Sequence, residues 1–89
     1  MITHGTDTMT ETARILGEAG LDKVIVLTGA MIPYAFKNSD AIFNLGGSIV
    51  AVQLLSPGVY IVLNGRVFAW DNVFKDKERG VFRERLPQR

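Results

Sequence analysis

Apolar positions recur at helical spacing over residues 8–19, TMTETARILGEA. Met9, Ala13 and Leu16 fall at i, i+4 and i+7, with Thr12, Ile15 and Ala19 beside them. Thr8 and Glu11 form a T-x-x-E capping box that predicts the helix start, and Gly20 predicts its stop. The pattern then changes. Lys23-Val24-Ile25-Val26-Leu27-Thr28 is a short β-branched run with no polar alternation, which predicts a strand buried on both faces. Residues 41–55, AIFNLGGSIVAVQLL, are nearly all apolar and show no polar face, so they predict a buried helix. The Asn38-Ser39-Asp40 cluster in front of it supplies the N-cap. Gly46 and Gly47 each cost about 1 kcal/mol relative to alanine, which points to close packing against a neighbour.

Ser56-Pro57-Gly58 predicts a turn, and Val59 to Leu63 another strand. Asn64-Gly65 is a hairpin signal, with Arg66 to Ala69 as the return strand. A loop or short helix follows around Asp71 to Lys75, then a weak strand or tail. Met1, Ile2 and Thr3 add a very short strand in front of everything. The order strand, helix, strand, helix, strand, hairpin predicts an α/β fold. Its sheet is open, mainly parallel and three-layered, with a C-terminal β-hairpin. At 89 residues there is room for one domain, spanning 1–89, and residues 83–89 are expected to form a flexible tail.

Composition removes several function classes. The net charge is +1, which offers no electrostatic case for nucleic acid or an anionic membrane. Between Lys75 and Arg89 six basic residues are mixed with Asp76, Glu78 and Glu84, the composition of a solvated surface. With no cysteine there is no disulfide, thiol nucleophile or thiolate metal site, and a reducing cytoplasm is the expected compartment. A single histidine, His4, leaves no metal centre to expect. No run reaches the roughly 18 to 20 apolar residues of a membrane helix, and the N-terminus lacks the form of a signal peptide.

Candidate chemistry gathers at strand ends. In an open α/β sheet, ligands bind outside the carboxyl ends of the strands. Three such ends carry glycine: His4-Gly5-Thr6, Thr28-Gly29-Ala30 and Asn64-Gly65, which should lie along one edge. At the first of them Thr6 and Asp7 stand directly before a helix start. Gly5 permits close approach of a ligand, Asp7 offers a carboxylate to an ammonium group, and Thr6 offers a hydroxyl that needs a base. Two readings stay open: Thr6, Asp7 and Thr8 cap the helix, or they form a binding turn. His4 reads as a hydrogen-bonded strand-end residue. A phosphate site is disfavoured, because G-x-G-x-x-G and a P-loop lysine are both absent.

The blocks ITHGTDTMTET, VIVLTGAMIP and VYIVLNGRVFAWDNVFK together resemble the asparaginase family of threonine amidohydrolases, which includes the glutaminase-asparaginases. The resemblance runs from Ile2 to about Phe82 and is closest to short single-domain bacterial members. It implies the Rossmann-like half of the family's N-terminal domain. The implied activity is hydrolysis of a small amino-acid amide, L-asparagine to L-aspartate and ammonia, with no cofactor. Thr6 would match a catalytic threonine, Asp7 its neighbouring aspartate and grip on the substrate α-amino group, and Lys75 the lysine of a Thr-Lys-Asp triad. Ala30 would match the residue whose carbonyl meets the substrate amide, with Gly5 at the same site.

The family's first catalytic threonine lies in a T-G-G-T motif, and these 89 residues contain none. A chain lacking its N-terminal portion, and inactive alone, is therefore expected. The alternative is a non-catalytic amino-acid-binding or assembly module. An uncovered sheet edge and an apolar helix favour association, so a homo-oligomer is expected.

Overall fold

The computed structural model describes residues 1–86. Along the chain run β1 (Ile2–Thr3), α1 (Met9–Glu18), β2 (Val24–Thr28), α2 (Ala41–Leu54), β3 (Gly58–Leu63), β4 (Arg66–Ala69), β5 (Phe74–Asp76) and β6 (Val81–Arg83). One sheet has the order β1-β2-β3-β4, and β5 pairs with β6 as a separate hairpin. β1, β2 and β3 run parallel, and β4 returns antiparallel to β3. This is the mainly parallel α/β sheet that the element order predicts.

The unalternating run in β2 is explained by two cores. Ile25 and Leu27 join the cluster of Met9 and Ala13 from α1, while Val24 and Val26 join Ala51 from α2. Both faces of the strand are covered, so both sets of side chains are apolar. The β3–β4 turn also follows its sequence: Asn64 (φ 53°) and Gly65 (φ 78°) are both left-handed, as a two-residue hairpin turn requires. Gly17 lets α1 lie directly on Trp70, because a Cβ there would overlap the indole.

Four local expectations need correction. First, the capping box does not form. Thr8 is the N-cap residue of α1 but makes no side-chain cap bond, and its φ of −118° and ψ of 10° are not the extended pair that capping uses. The Glu11 and Thr12 amides donate to the Thr8 carbonyl instead. Second, α2 is not buried all round. It packs through Asn44, Ser48 and Ala51, and leaves Ile42, Phe43, Ile49, Val50 and Leu54 exposed, since a sheet covers one side of a helix only. Third, Gly46 has nothing near enough for a Cβ to touch, so close packing does not explain it.

Fourth, of the loop or short helix expected around Asp71 to Lys75 the loop alternative forms, and β5 begins inside that span at Phe74. Three-residue strands are too short to show periodicity. The hairpin is held by Phe82, buried in the core 6.4 Å from the Phe68 ring, and by Gly80, left-handed at φ 66°. The expected tail begins within this hairpin, because Arg83 ends β6. Beyond it, Leu86 N–H donates to the Asn72 side chain at 2.7 Å and its carbonyl accepts from the same side chain at 2.8 Å. Residues 87–89 of that tail lie outside the described residues. The mixed charges pair locally, Arg66 with Glu84 at 2.7 Å and Arg83 with Asp76 at 3.4 Å.

Candidate active site

The parallel strands end along one edge, bringing the three glycine-bearing ends together. His4 N–H donates to the Thr28 carbonyl at 2.8 Å, which seats the end of β1 on β2. There the His4 carbonyl closes on Gly29 so tightly that a Cβ would overlap it, with Met9 Cε 3.0 Å from the same point. Backbone on one side and a buried side chain on the other leave little room to yield. Gly29→Ala is expected to cost about 1–3 kcal/mol by overpacking. For a chain of this size that is roughly 4–8 °C of thermal midpoint per kcal/mol. Melting followed by far-UV circular dichroism reads the loss, and an unchanged midpoint would refute the close approach.

His4 is engaged at both ring nitrogens. Nδ1 lies 2.7 Å from the Gly5 carbonyl, and Nε2 lies 2.9 Å from Thr12 Oγ1. A carbonyl can only accept, so in neutral His4 the proton sits on Nδ1 and Nε2 accepts from the Thr12 hydroxyl. The ring thus ties the turn after β1 to the second turn of α1.

Thr6 and Asp7 turn away from capping and toward β5. Lys75 Nζ donates to Thr6 Oγ1 at 2.8 Å and to Asp7 Oδ1 at 2.6 Å. Thr6 and Lys75 are 69 positions apart in sequence. The Lys75 side chain is 15% exposed, and that of Asp7 is 81% exposed. The hydrogen bond from Lys75, then its charge, hold the Asp7 carboxyl below its ordinary pKa, and Lys77 adds a smaller effect in the same direction. Solvent screens so exposed a pair, so its contribution to stability is small. What it does is fix three side chains in one place. Asp7 Oδ2 has no hydrogen bond among the described residues.

Beside this cluster lies a cleft of about 430 Å³, lined by His4, Gly5, Thr28, Gly29, Ala30 and Tyr34 among others. Thr6, Asp7 and Lys75 are not in its lining; cluster and cleft meet at Gly5. Ala30 is half-buried at its wall.

A second polar group was not legible in the sequence. Asn44 is 1% exposed. Its Nδ2 donates to the Gly29 carbonyl and to Asp40 Oδ2, both at 2.8 Å, and its Oδ1 accepts from Asn64 N–H at 2.7 Å. Asp40 also accepts from the amides of Met31 (3.1 Å) and Ile32 (3.0 Å) and from Asn64 Nδ2 (3.1 Å). Asp40 is the N-cap residue of α2 and makes no side-chain cap bond, while Ser39 Oγ accepts from Ala41 N–H at 3.1 Å. The one available signal is an asparagine in a mostly apolar helix whose other polar residues are Ser48 and Gln53.

Partial burial acts to raise the Asp40 pKa, but the bonds from Ile32, Met31, Asn44 and Asn64 outweigh it and leave it lowered from 3.8. A depressed carboxylate stabilises the fold above its unfolded pKa, and that contribution is lost as pH falls through the folded value. The loop from Met31 to Asp40 should therefore stay anchored above about pH 4 and release on further acidification. Amide hydrogen exchange of Met31 and Ile32 across pH 2–6 measures this; release setting in above pH 5 would contradict the assignment.

The family model described as "Asparaginase, N-terminal" matches residues 1–81. The chain belongs to the asparaginase family. This asparaginase-family chain is 39% identical over 79 residues to L-asparaginase 2 of Escherichia coli (strain K12), a match covering 84% of this chain and 23% of that protein. It is 36% identical over 85 residues to a probable periplasmic L-asparaginase of Haemophilus influenzae, covering 91% of this chain and 24% of that one. The crystal structure of a probable cytoplasmic L-asparaginase from Campylobacter jejuni superposes with a TM-score of 0.77 at 37% identity, covering 83% of this chain and 24% of the other. The chain thus spans about a quarter of the length of the curated relatives it matches.

Proposed function

We propose that this chain carries the Thr-Asp-Lys half of an asparaginase-type amidohydrolase site, acting on an amino-acid amide. The observation that carries this reading is Lys75 Nζ bridging Thr6 Oγ1 and Asp7 Oδ1. The reaction class is acyl transfer: a threonine oxygen bonds to the amide carbon, the C–N bond breaks, and nitrogen leaves as ammonia with a proton. Water then cleaves the ester to the acid and restores the hydroxyl. In its neutral form the Lys75 amine can take the Thr6 proton, and Asp7 orients and balances it. The open Asp7 Oδ2 suits the substrate α-ammonium. Gly5 leaves room beside it, and Ala30 offers its carbonyl to the amide.

These 89 residues contain no T-G-G-T and are not expected to turn over substrate by themselves. Purified chain incubated with L-asparagine or L-glutamine should release no ammonia above the blank, while binding amino acid on the order of millimolar. Saturable ammonia release would overturn the inactivity; failure to bind L-asparagine and L-aspartate alike would overturn the site itself. No cofactor is needed for this chemistry. The proposed compartment is the cytoplasm, supported by the absence of cysteine; matched relatives are named for both cytoplasm and periplasm. Among the described residues no helix is long and apolar enough to cross a membrane.

A second reading, an amino-acid-binding or assembly module that forms a homo-oligomer, is favoured by the uncovered face of α2. Light scattering distinguishes it: a monomer at all concentrations counts against association.

A further inference from the structure

Along the sequence the charges after Lys75 are mixed, but the fold sorts them by sign. Arg66 at the start of β4, Arg79 between β5 and β6, and Arg83 at the end of β6 line one cleft of about 280 Å³. Its floor is apolar and includes Leu63, Phe68 and Phe82. No acidic residue lines it. Asp76 and Glu84, the carboxylates that pair with these arginines, stand outside the lining. Glu84 lines a neighbouring cleft instead, which Arg66 and Arg83 also border.

The two carboxylates act as braces. Arg66 Nη2 donates to Glu84 Oε1 at 2.7 Å, and its guanidinium lies 5.0 Å from the centre of the Phe68 ring. Asp76 Oδ2 accepts from Arg83 Nη1 at 3.4 Å and stands 4.0 Å from Arg79 Nε. A guanidinium presents a planar fork of N–H donors, and these contacts use at most one edge of each. The remaining side-chain N–H groups of the three arginines have no partner among the described residues. Three braced cations with unused donors, around a cleft without an acid, suit an anion.

We infer that this cleft is a phosphate site, taking a small phosphomonoester or the free ion. Arginine forks match phosphate oxygens bidentately, and a phosphate offers more acceptor oxygens and more charge than one carboxylate. Such a site works through side chains, so it needs neither a glycine-rich loop nor a helix start. None of Thr6, Asp7 and Lys75 lines it, and it stands independently of the amide-site reading. The side chains of Arg66, Arg79 and Arg83 are 54%, 72% and 48% exposed, so water and salt screen their charge. The affinity expected is therefore on the order of millimolar.

The experiment titrates sodium phosphate into the ¹⁵N-labelled 89-residue chain at neutral pH, with sodium chloride of equal ionic strength as the control. It follows the arginine side-chain Nε–H resonances. Those of Arg66, Arg79 and Arg83 should shift saturably with phosphate and not with chloride, while Arg14 on α1 follows the control. Arg83→Lys keeps the charge but loses the fork, and should weaken phosphate by about fivefold; Arg83→Gln loses both and should weaken it by about tenfold or more. Unchanged affinity in Arg83→Lys would mean diffuse positive charge and overturn the built site, as would shifts that chloride reproduces. Sodium acetate should bind more weakly, and acetate binding as tightly as phosphate overturns the phosphate assignment. Phenyl phosphate separates the two sources: tighter binding than phosphate supports an ester resting on the apolar floor, and weaker binding supports the free ion. Should a variant not fold, the unmodified chain still decides. Saturation at Arg66, Arg79 and Arg83 alone supports the site, and saturation at none of them, or at every arginine alike, overturns it.

Discussion

Asp7→Asn is expected to weaken binding of L-asparagine and L-aspartate by tenfold or more while leaving the thermal midpoint almost unchanged. The first half follows from charge. The α-ammonium of either ligand needs an anion, and charge-assisted hydrogen bonds are about twice as strong as neutral ones. Asparagine at position 7 can still accept from Lys75 through its amide oxygen, so the turn keeps its shape and only the charge is lost. The second half follows from exposure: at 81% exposed, the Asp7 side chain is screened by water and holds little of the fold together. Succinamate, which has the amide and the carboxylate but no α-amino group, separates the causes. It should bind the unmodified chain weakly, and Asp7→Asn should weaken it no further. An equal loss for succinamate would mean that Asp7 acts on the shape of the turn and not on the ammonium group.

Phe68→Ala is expected to have the largest effect on stability. Phe68 is 1% exposed and sits where three parts of the molecule meet. It lies on β4, contributes to the core that includes Met9 and Ala13 of α1, and packs near Phe82 of the β5–β6 hairpin. Truncating a buried phenylalanine costs about 3–5 kcal/mol through lost burial and the cavity left behind. At roughly 0.05–0.15 kcal/mol per residue, the total stability of a chain this size is about 4–13 kcal/mol, so the loss removes a large share of it. The functional consequence runs through Lys75, which pairs with Phe82 in that hairpin and depends on its seating to reach Thr6. Urea unfolding should show a large fall in the midpoint, with Phe68→Leu losing much less. A loss below about 1 kcal/mol would show that the hairpin is not docked on this core.

How much of this was legible before the structure depends on how local the signal is. The β2 run Val24–Thr28, the Asn64-Gly65 turn and the helical spacing from Met9 to Leu16 are short-range patterns, and each element appears where its pattern puts it. β5 and β6 have three residues each and left no periodicity to read. The exposed face of α2 leaves no mark in the sequence, because an apolar helix says nothing about how many of its sides are covered. The Asp40–Asn44–Asn64 group joins positions up to 24 apart through the fold, beyond the reach of any window along the chain. Lys75 belongs to neither class. Spacing makes it a surface lysine; only the resemblance of the block ending at Lys75 singled it out, and the structure brings it onto Thr6 and Asp7.

If the turn after β1, the end of β2 and Lys75 form one amino-acid site, L-aspartate titrated into the ¹⁵N-labelled 89-residue chain must find it there. The expected result is saturable shifts of the Gly5, Thr6, Asp7 and Ala30 amides, with those of Val24 and Gly58, at the opposite ends of β2 and β3, unmoved. Saturable shifts confined to other residues, or none at Thr6 and Asp7 with ligand in excess, would contradict it.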